Sequence, residues 1–434
     1  MKTTETTKMK SSWKTPLLLL SLAGTTALAA PSFSTAASIP AASRPGGVAL
    51  GDFDGDGDLD MAVTTDTIDK INIYLNTAGT FGAPTPIPTG GGTGPDDIIA
   101  SDIDGDGDSD LVVVLKGIDS VRTYINLGGV FSQGISTPVG ERPIDLASGD
   151  VNADGAIDFV TANRDNETFT VLTNNGAGVL TAISYAGGVE PRSAAIADYT
   201  GDGVADITVS DHDSRIINVY SGSAGYAMVQ SLPVNPVTRP DHVVAGDFNA
   251  DGLMDLAAAT SDPVFNSAAV WLNTGSALGG RVDYLVNGLN ASGIMAADLD
   301  GDGDTDIVTS NADSNTMSTL ENTGSGFFAA GVATATGTRP GNIAIGDIDA
   351  NGGLDIAITN RDSNDVSIFM NMNGAAACSA ADLAEPFGTL NFFDVSAFLA
   401  SFTAGDVSAD LNNDGLFNFF DVSTFLSVFS AGCP

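Results

Sequence analysis

Basic residues are scarce in this chain: 16 Lys and Arg stand against 54 Asp and Glu, a formal charge of -38. Nucleic-acid binding is excluded as the main task, because neutralising phosphates needs the opposite balance. Histidine is scarcer still, with only His212 and His242. Neither has a nucleophile or acid–base partner at motif spacing, so no catalytic constellation is legible. Cysteine is limited to Cys378 and Cys433. In an exported protein, a lone pair framing a C-terminal stretch reads as a disulfide, two unrelated buried thiols being the other reading. Beyond residue 30 no apolar run is long enough to cross a bilayer as a helix.

The first thirty residues carry Lys2, Lys8, Lys10 and Lys14, then the apolar stretch from Leu17 to Ala30 with Ala27-Leu28-Ala29 as an A-x-A site. That is the pattern of an export signal, so residues 1–30 are expected to be removed and the rest secreted or displayed at the cell surface. Strong acidity also fits a disordered chain. Here, however, 43% of residues are hydrophobic and the acids recur in clusters. Clustered acid in an otherwise strand-like chain points to bound cations.

A repeat dominates what is present. An Asp-rich loop between two apolar strands begins at Asp52, Asp102, Asp150, Asp198, Asp247, Asp298 and Asp347. Periods of this size mark propellers or solenoids. Each repeat holds four strand-like pieces, in the first copy Val48–Gly51, Met61–Val63, Ile71–Leu75 and Phe81–Pro88. Four strands per unit describe a propeller blade, and no solenoid end caps are present. The fold expected over residues 31–374 is therefore an all-β, seven-bladed β-propeller. The seventh copy lacks its fourth strand, and the spacing of Phe33 and Ile39 matches that of Phe81 and Ile87. Residues 32–41 are thus expected to complete blade seven and close the ring.

The loop pattern D-x-[DNT]-x-[DN]-G-x-x-D puts oxygens at positions one, three, five and nine. Hard divalent cations such as calcium take six to eight oxygens from such a flexible loop. The candidate ligands are Asp52, Asp54, Asp56 and Asp60; Asp102, Asp104, Asp106 and Asp110; Asp150, Asn152, Asp154 and Asp158; Asp198, Thr200, Asp202 and Asp206; Asp247, Asn249, Asp251 and Asp255; Asp298, Asp300, Asp302 and Asp306; and Asp347, Asp349, Asn351 and Asp355. Asn or Thr at a ligand position lowers the charge of a site. Asp and Gly also favour plain turns, but seven in-phase copies favour metal.

The stretch Arg339-Pro-Gly-Asn-Ile-Ala-Ile-Gly-Asp-Ile-Asp-Ala-Asn-Gly-Gly-Leu-Asp-Ile-Ala357 resembles the FG-GAP/VCBS repeats of integrin-α-like propellers. The resemblance covers roughly residues 32–374. It implies calcium loops on a lower face and ligand binding on an upper face, formed by the hairpins between strands two and three and the segments between blades. The fold hosts adhesion proteins and carbohydrate-active enzymes alike, so it does not fix the activity.

Residues 378–434 carry a second repeat, Leu390–Leu399 and Phe417–Leu426. Val395, Phe398, Leu399 and Phe402, then Val422, Phe425, Leu426 and Phe429, fall at helical spacing. Before the second helix, Asp410, Asn412, Asp414, Leu416, Asn418 and Asp421 match an EF-hand-type calcium loop. The first copy has Pro386 and Phe387 in place of ligands, so one tail site is expected. The unit resembles a small α-helical dockerin-like module, which implies a cohesin-like or envelope partner.

The leading functional expectation is a non-catalytic binding or adhesion protein with a protein or polysaccharide ligand. A polysaccharide-lyase-like enzyme using His242, and a structural surface scaffold, are the alternatives. Arg142, Arg239, His242 and Arg339 mark the expected ligand face. Arg44, Arg192, Lys70, Lys116, Arg164, Arg215 and Arg361 share the same inter-blade and hairpin positions. His212 reads as a variable hairpin residue. Trp271 aligns with Tyr74, Tyr124, Tyr220 and Phe369 and reads as packing.

Overall fold

Each repeat folds into one four-stranded antiparallel sheet, and seven such sheets form a ring in the computed structural model, which describes residues 30–262, 265–373, 392–404, 409, 411 and 419–431. Blade one runs inner strand Pro45–Gly51, second strand Asp60–Thr65, third strand Lys70–Tyr74 and outer strand Thr85–Pro88. The inner strand of each blade contacts those of its neighbours, and blade seven closes onto blade one. The expected all-β, seven-bladed propeller is what the chain forms.

Six of the seven second strands are buried along their whole length, and Asp255–Ser261 along all but its last residue, as their apolar runs require when a sheet packs on both faces. Seven separate apolar clusters result, one at each blade junction. Trp271 is buried in the cluster between blades four and five, where it packs as expected.

The inner strands begin earlier than the apolar residues before each loop suggest. Pro45 pairs with Thr65, and a register shift lies between Pro45 and Val48. Similar shifts recur in the other six inner strands. Proline supplies no ladder donor, and a bulge re-aims the side chain beside it. His242 therefore lies within the strand Arg239–Gly246 rather than ahead of it.

Ring closure follows the spacing read from Phe33 and Ile39. Ala37–Pro40 runs antiparallel to Asp365–Phe369, from Ala37 opposite Ile368 to Pro40 opposite Asp365, and Phe33 bridges Asn371. Ile39 packs onto the cluster between blades seven and one. Ala37–Pro40 thus forms the outer strand of blade seven and covers the edge that Asp365–Phe369 would otherwise expose.

Two helices, Phe392–Ala404 and Phe419–Ala431, follow. Phe398 and Phe425 stack at 4.2 Å. Leu399 and Leu426 do not join that core: they are 52% and 56% exposed. The stripe is thus narrower than the apolar spacing suggests. Asp421 is buried. Cys378, Cys433 and the tail ligands Asp410, Asn412, Asp414, Leu416 and Asn418 lie outside the described residues.

Candidate functional site

The two faces of the ring differ chemically. On the lower face, the first Asp of each loop accepts hydrogen bonds from the loop's own backbone. Asp52 Oδ2 accepts from Gly57 N at 3.0 Å, and Asp102, Asp150, Asp198, Asp247, Asp298 and Asp347 accept equivalently from the sixth residue of their loops. That residue has φ between 80° and 97° in all seven copies, a conformation that favours glycine.

The ninth-position Asp has a second duty that the sequence pattern does not show. Asp60 accepts from Phe53 N through Oδ2 and from Asn76 N through Oδ1, at 2.9 and 2.7 Å. Asp110, Asp158, Asp206, Asp255, Asp306 and Asp355 repeat this clasp. Burial pushes the Asp306 carboxyl up to about 7 and that of Asp355 to about 6, against the pull of these backbone donors. Asp300 rises to about 6 through burial and the neighbouring charge of Asp302.

In four loops three carboxylates converge, with ligand atoms within 4.8 Å of one another: Asp52, Asp54 and Asp60; Asp102, Asp104 and Asp110; Asp298, Asp300 and Asp302; Asp347, Asp349 and Asp355. Blades three, four and five, with Asn152, Thr200 and Asn249 at position three, show no such trio among the described residues. Asp104 Oδ1 and Asp347 Oδ1 are buried with no hydrogen-bond partner. All-oxygen donors, crowded carboxylates and orphaned oxygens fit a hard divalent cation.

The upper face holds a funnel of about 360 Å³ at the ring's axis, and Arg142, His242 and Arg339 all line it. Lys116, Arg164, Arg192 and Arg361 join them there. Arg239 does not: it pairs with Asp213 at 3.0 Å in a neighbouring depression that also holds Arg215. Most funnel cations have carboxylate partners. Lys116 lies 3.1 Å from both Asp66 and Asp96, while Arg142 and Arg361 are held loosely, at 3.6 Å from Asp165 and 3.7 Å from Asp66. The Arg339 side chain makes no ion pair or hydrogen bond among the described residues.

Aligned inner-strand positions meet at the funnel floor. Asn342 donates to Asp97 Oδ1 at 2.6 Å, and His242 Nε2 donates to Asp145 Oδ1 at 2.8 Å. Asp97 and Asp145 also accept from Leu146 N and Ala194 N of the next blade. Below this polar belt lies an apolar cavity of about 410 Å³, whose walls include Leu50, Ile196 and Ile345. Burial alone would lower the His242 pKa, but the charges of Asp145 and Asp97 push it up to about 9. Asp97 itself rises to about 7 through burial and the charge of Asp145. His242 is thus engaged with Asp145 at the funnel floor, while its Nδ1 is buried without a hydrogen-bond partner.

His212 is not the loosely placed hairpin residue its variable position suggests. Its ring is buried, with Nδ1 3.2 Å from Glu190 Oε2 and 3.4 Å from Asp213 Oδ1. Three carboxylates gather there, Asp241 being the third, but Arg164, Arg192 and Arg239 already face them. Equal opposite charge leaves little attraction for a metal ion. Sequence reasoning missed Glu190 and Asp241, because no local pattern links residues from different blades.

A repeat family described as FG-GAP-like repeat matches residues 52–113, 102–161, 150–209, 247–309 and 298–358. No curated protein matches the chain. Among solved structures, a similar one is BBS1N in complex with ARL6DN, soaked with lead, with 13% identity, a TM-score of 0.53, and coverage of 79% of this chain and 96% of that one. The same complex soaked with mercury gives 12% and 0.52, covering 78% and 96%. At such identity these likenesses concern the fold alone. No helix among the described residues is long and apolar enough to cross a membrane.

Proposed function

The chain belongs to the FG-GAP-like repeat family, and on that footing we propose that it is an exported, calcium-loaded propeller that binds an anionic macromolecule in its upper-face funnel without catalysing a reaction. The observation that carries this reading is the gathering of cations at one mouth, with Arg142 and Arg361 only loosely paired and the Arg339 side chain without an ion pair among the described residues. A chain of formal charge -38 gathers Lys116, Arg142, Arg164, Arg192, Arg339 and Arg361 around one cavity. Guanidinium groups grip carboxylates and sulfates through paired hydrogen bonds. The ligand is an acidic protein surface or an acidic polysaccharide. BBS1N, which shares the fold, is seen with a protein partner; either ligand class would present the same carboxylates or sulfates, and polygalacturonate supplies carboxylates in the test.

Calcium enters this reading as a structural ion. When bound, it offsets the mutual repulsion of the loop carboxylates. The ligand oxygens would be those of positions one, three and five, with the free lone pairs of the ninth-position Asp. The C-terminal module, with one calcium loop from Asp410 to Asp421 and a Cys378–Cys433 disulfide, would dock the propeller to a cohesin-like or envelope partner.

The test is binding of polygalacturonate against neutral dextran by the calcium-loaded full chain. Preference for the acidic polymer, reduced at least about tenfold in Arg142→Ala/Arg339→Ala, is expected. Equal affinity for both polymers, or an unaffected double variant, would remove the funnel from the binding site.

A further inference from the structure

The blades are not joined alike. At five junctions an Asn on the lower face donates Nδ2 to a carbonyl of the preceding blade. Asn76 reaches Ile348 O at 2.6 Å, Asn126 Phe53 O at 2.9 Å, Asn174 Ile103 O at 2.8 Å, Asn322 Phe248 O at 2.8 Å and Asn371 Leu299 O at 2.6 Å. Both junctions of blade four lack this staple. Its own position is Gly222, where an added Cβ would sit 2.2 Å from Ala205 O. On its other side, Asn273 donates to Met254 O within blade five.

Other contacts hold blade four, and many lie on the upper face. Arg164 of blade three reaches Glu190 Oε1 at 2.5 Å, in the segment entering blade four. Arg192 of blade four lies 3.0 Å from the same oxygen and 2.9 Å from Asp241 Oδ1 of blade five. His212 of blade four sits between Glu190 and Asp241. Phe169, Tyr185, Tyr220 and Tyr226 pack across the junction with blade three, and Gln230 exchanges two hydrogen bonds with Leu278 of blade five. Arg164 and Arg192 also line the funnel.

We propose that blade four is the ligand-responsive sector of the ring: Arg164 and Arg192 fasten it through Glu190 and Asp241, so an oxyanion that takes these guanidinium groups in the funnel loosens it. The fastening stands on the geometry alone, and the coupling rests on the anion-binding reading above. Coupling of this kind is reciprocal. Releasing the arginines from Glu190 must therefore both loosen blade four and strengthen anion binding.

Glu190→Gln in the calcium-loaded full chain tests both halves. Hydrogen exchange in strands 206–211 and 216–221 is expected to quicken about tenfold, with strand 110–115 of blade two within about twofold of the parent. Should the variant fold poorly, the parent in 1 M rather than 0.05 M NaCl serves instead, since salt screens the same pairs. Exchange that rises evenly around the ring, or not at all, overturns the fastening. For the coupling, the variant should bind polygalacturonate at least about threefold more tightly than the parent; equal or weaker binding overturns it. If neither protein binds the polymer, the anion reading and the coupling built on it both fall, and the exchange result alone decides the fastening.

Discussion

Blades six, seven, one and two form one arc of the ring, and blades three, four and five another. In the first arc, three carboxylates converge in every loop and every internal junction carries an Asn staple. In the second, Asn152, Thr200 and Asn249 replace a carboxylate, and both internal junctions lack the staple. There the joining groups are aromatic rings between blades three and four and ion pairs on the upper face. A shared loop pattern thus hides two ways of holding blades together. One arc combines carboxylate-rich loops with Asn staples on the lower face, and the other relies on arginines on the upper face.

Metal removal should separate the arcs most. A ligand at hundredfold excess over its Kd stabilises the folded state by about 2.7 kcal/mol per site, and several sites act together here. Chelator is expected to lower the melting temperature sharply, with calcium restoring it. Exchange should rise first in strands 306–311, 355–360, 60–65 and 110–115. An unchanged melt would end the calcium reading, and equal loss in both arcs would end the distinction between them.

Ring closure lies within the first arc, so Ile39→Asp should be the next most damaging change. It puts a charge into the cluster shared by Val48, Met61 and Ile368, at an expected cost of about 3 kcal/mol in denaturant unfolding. Stability equal to the parent would show that the closing strand is dispensable.

Asn126→Ala and Asn273→Ala compare the arcs at one equivalent position. Asn126 links two blades, whereas Asn273 bonds only within its own. Losing the first should cost about 1–2 kcal/mol and the second visibly less. Equal costs would make the staple a local turn device.

The polar belt predicts a smaller, pH-dependent effect. His242, raised to about 9, and Asp97, raised to about 7, both bind protons more tightly when folded. Each contributes stability that is complete below its unfolded pKa and disappears as pH rises through its folded value. The melting temperature of the calcium-loaded parent should therefore decline by a few degrees between pH 6.5 and 9.5. His242→Gln should flatten that decline. A variant with the parent's slope would place the titration elsewhere.

Much of this architecture was legible beforehand. Asp at loop positions one and nine with Gly at six is a local pattern, and seven copies of it fix blade number. The match of Phe33 and Ile39 to Phe81 and Ile87 revealed the closing strand, because side-chain alternation carries register. What escaped notice joins residues far apart in sequence. Asn126 looks like any polar residue ending a strand, yet its partner is Phe53. His212 looked incidental because Glu190 and Asp241 come from other segments of the chain. Arg142 and Arg339 line the funnel, while Arg239 pairs with Asp213 in the depression beside it, a distinction that inter-blade position alone does not carry.

The closing strand has a mechanical consequence. Residue 30 and residue 373 meet, with Asn373 Nδ2 2.9 Å from Ala30 O and Met372 N 2.7 Å from Ser32 O. The antiparallel pair they open continues to Pro40 and Asp365. A pull applied between these two ends therefore loads one hydrogen bond at a time, like a zip drawn from its slider, instead of shearing all of them together. The ring would yield at this line under low tension, well before any blade unravels, and could re-fasten once the tension is gone.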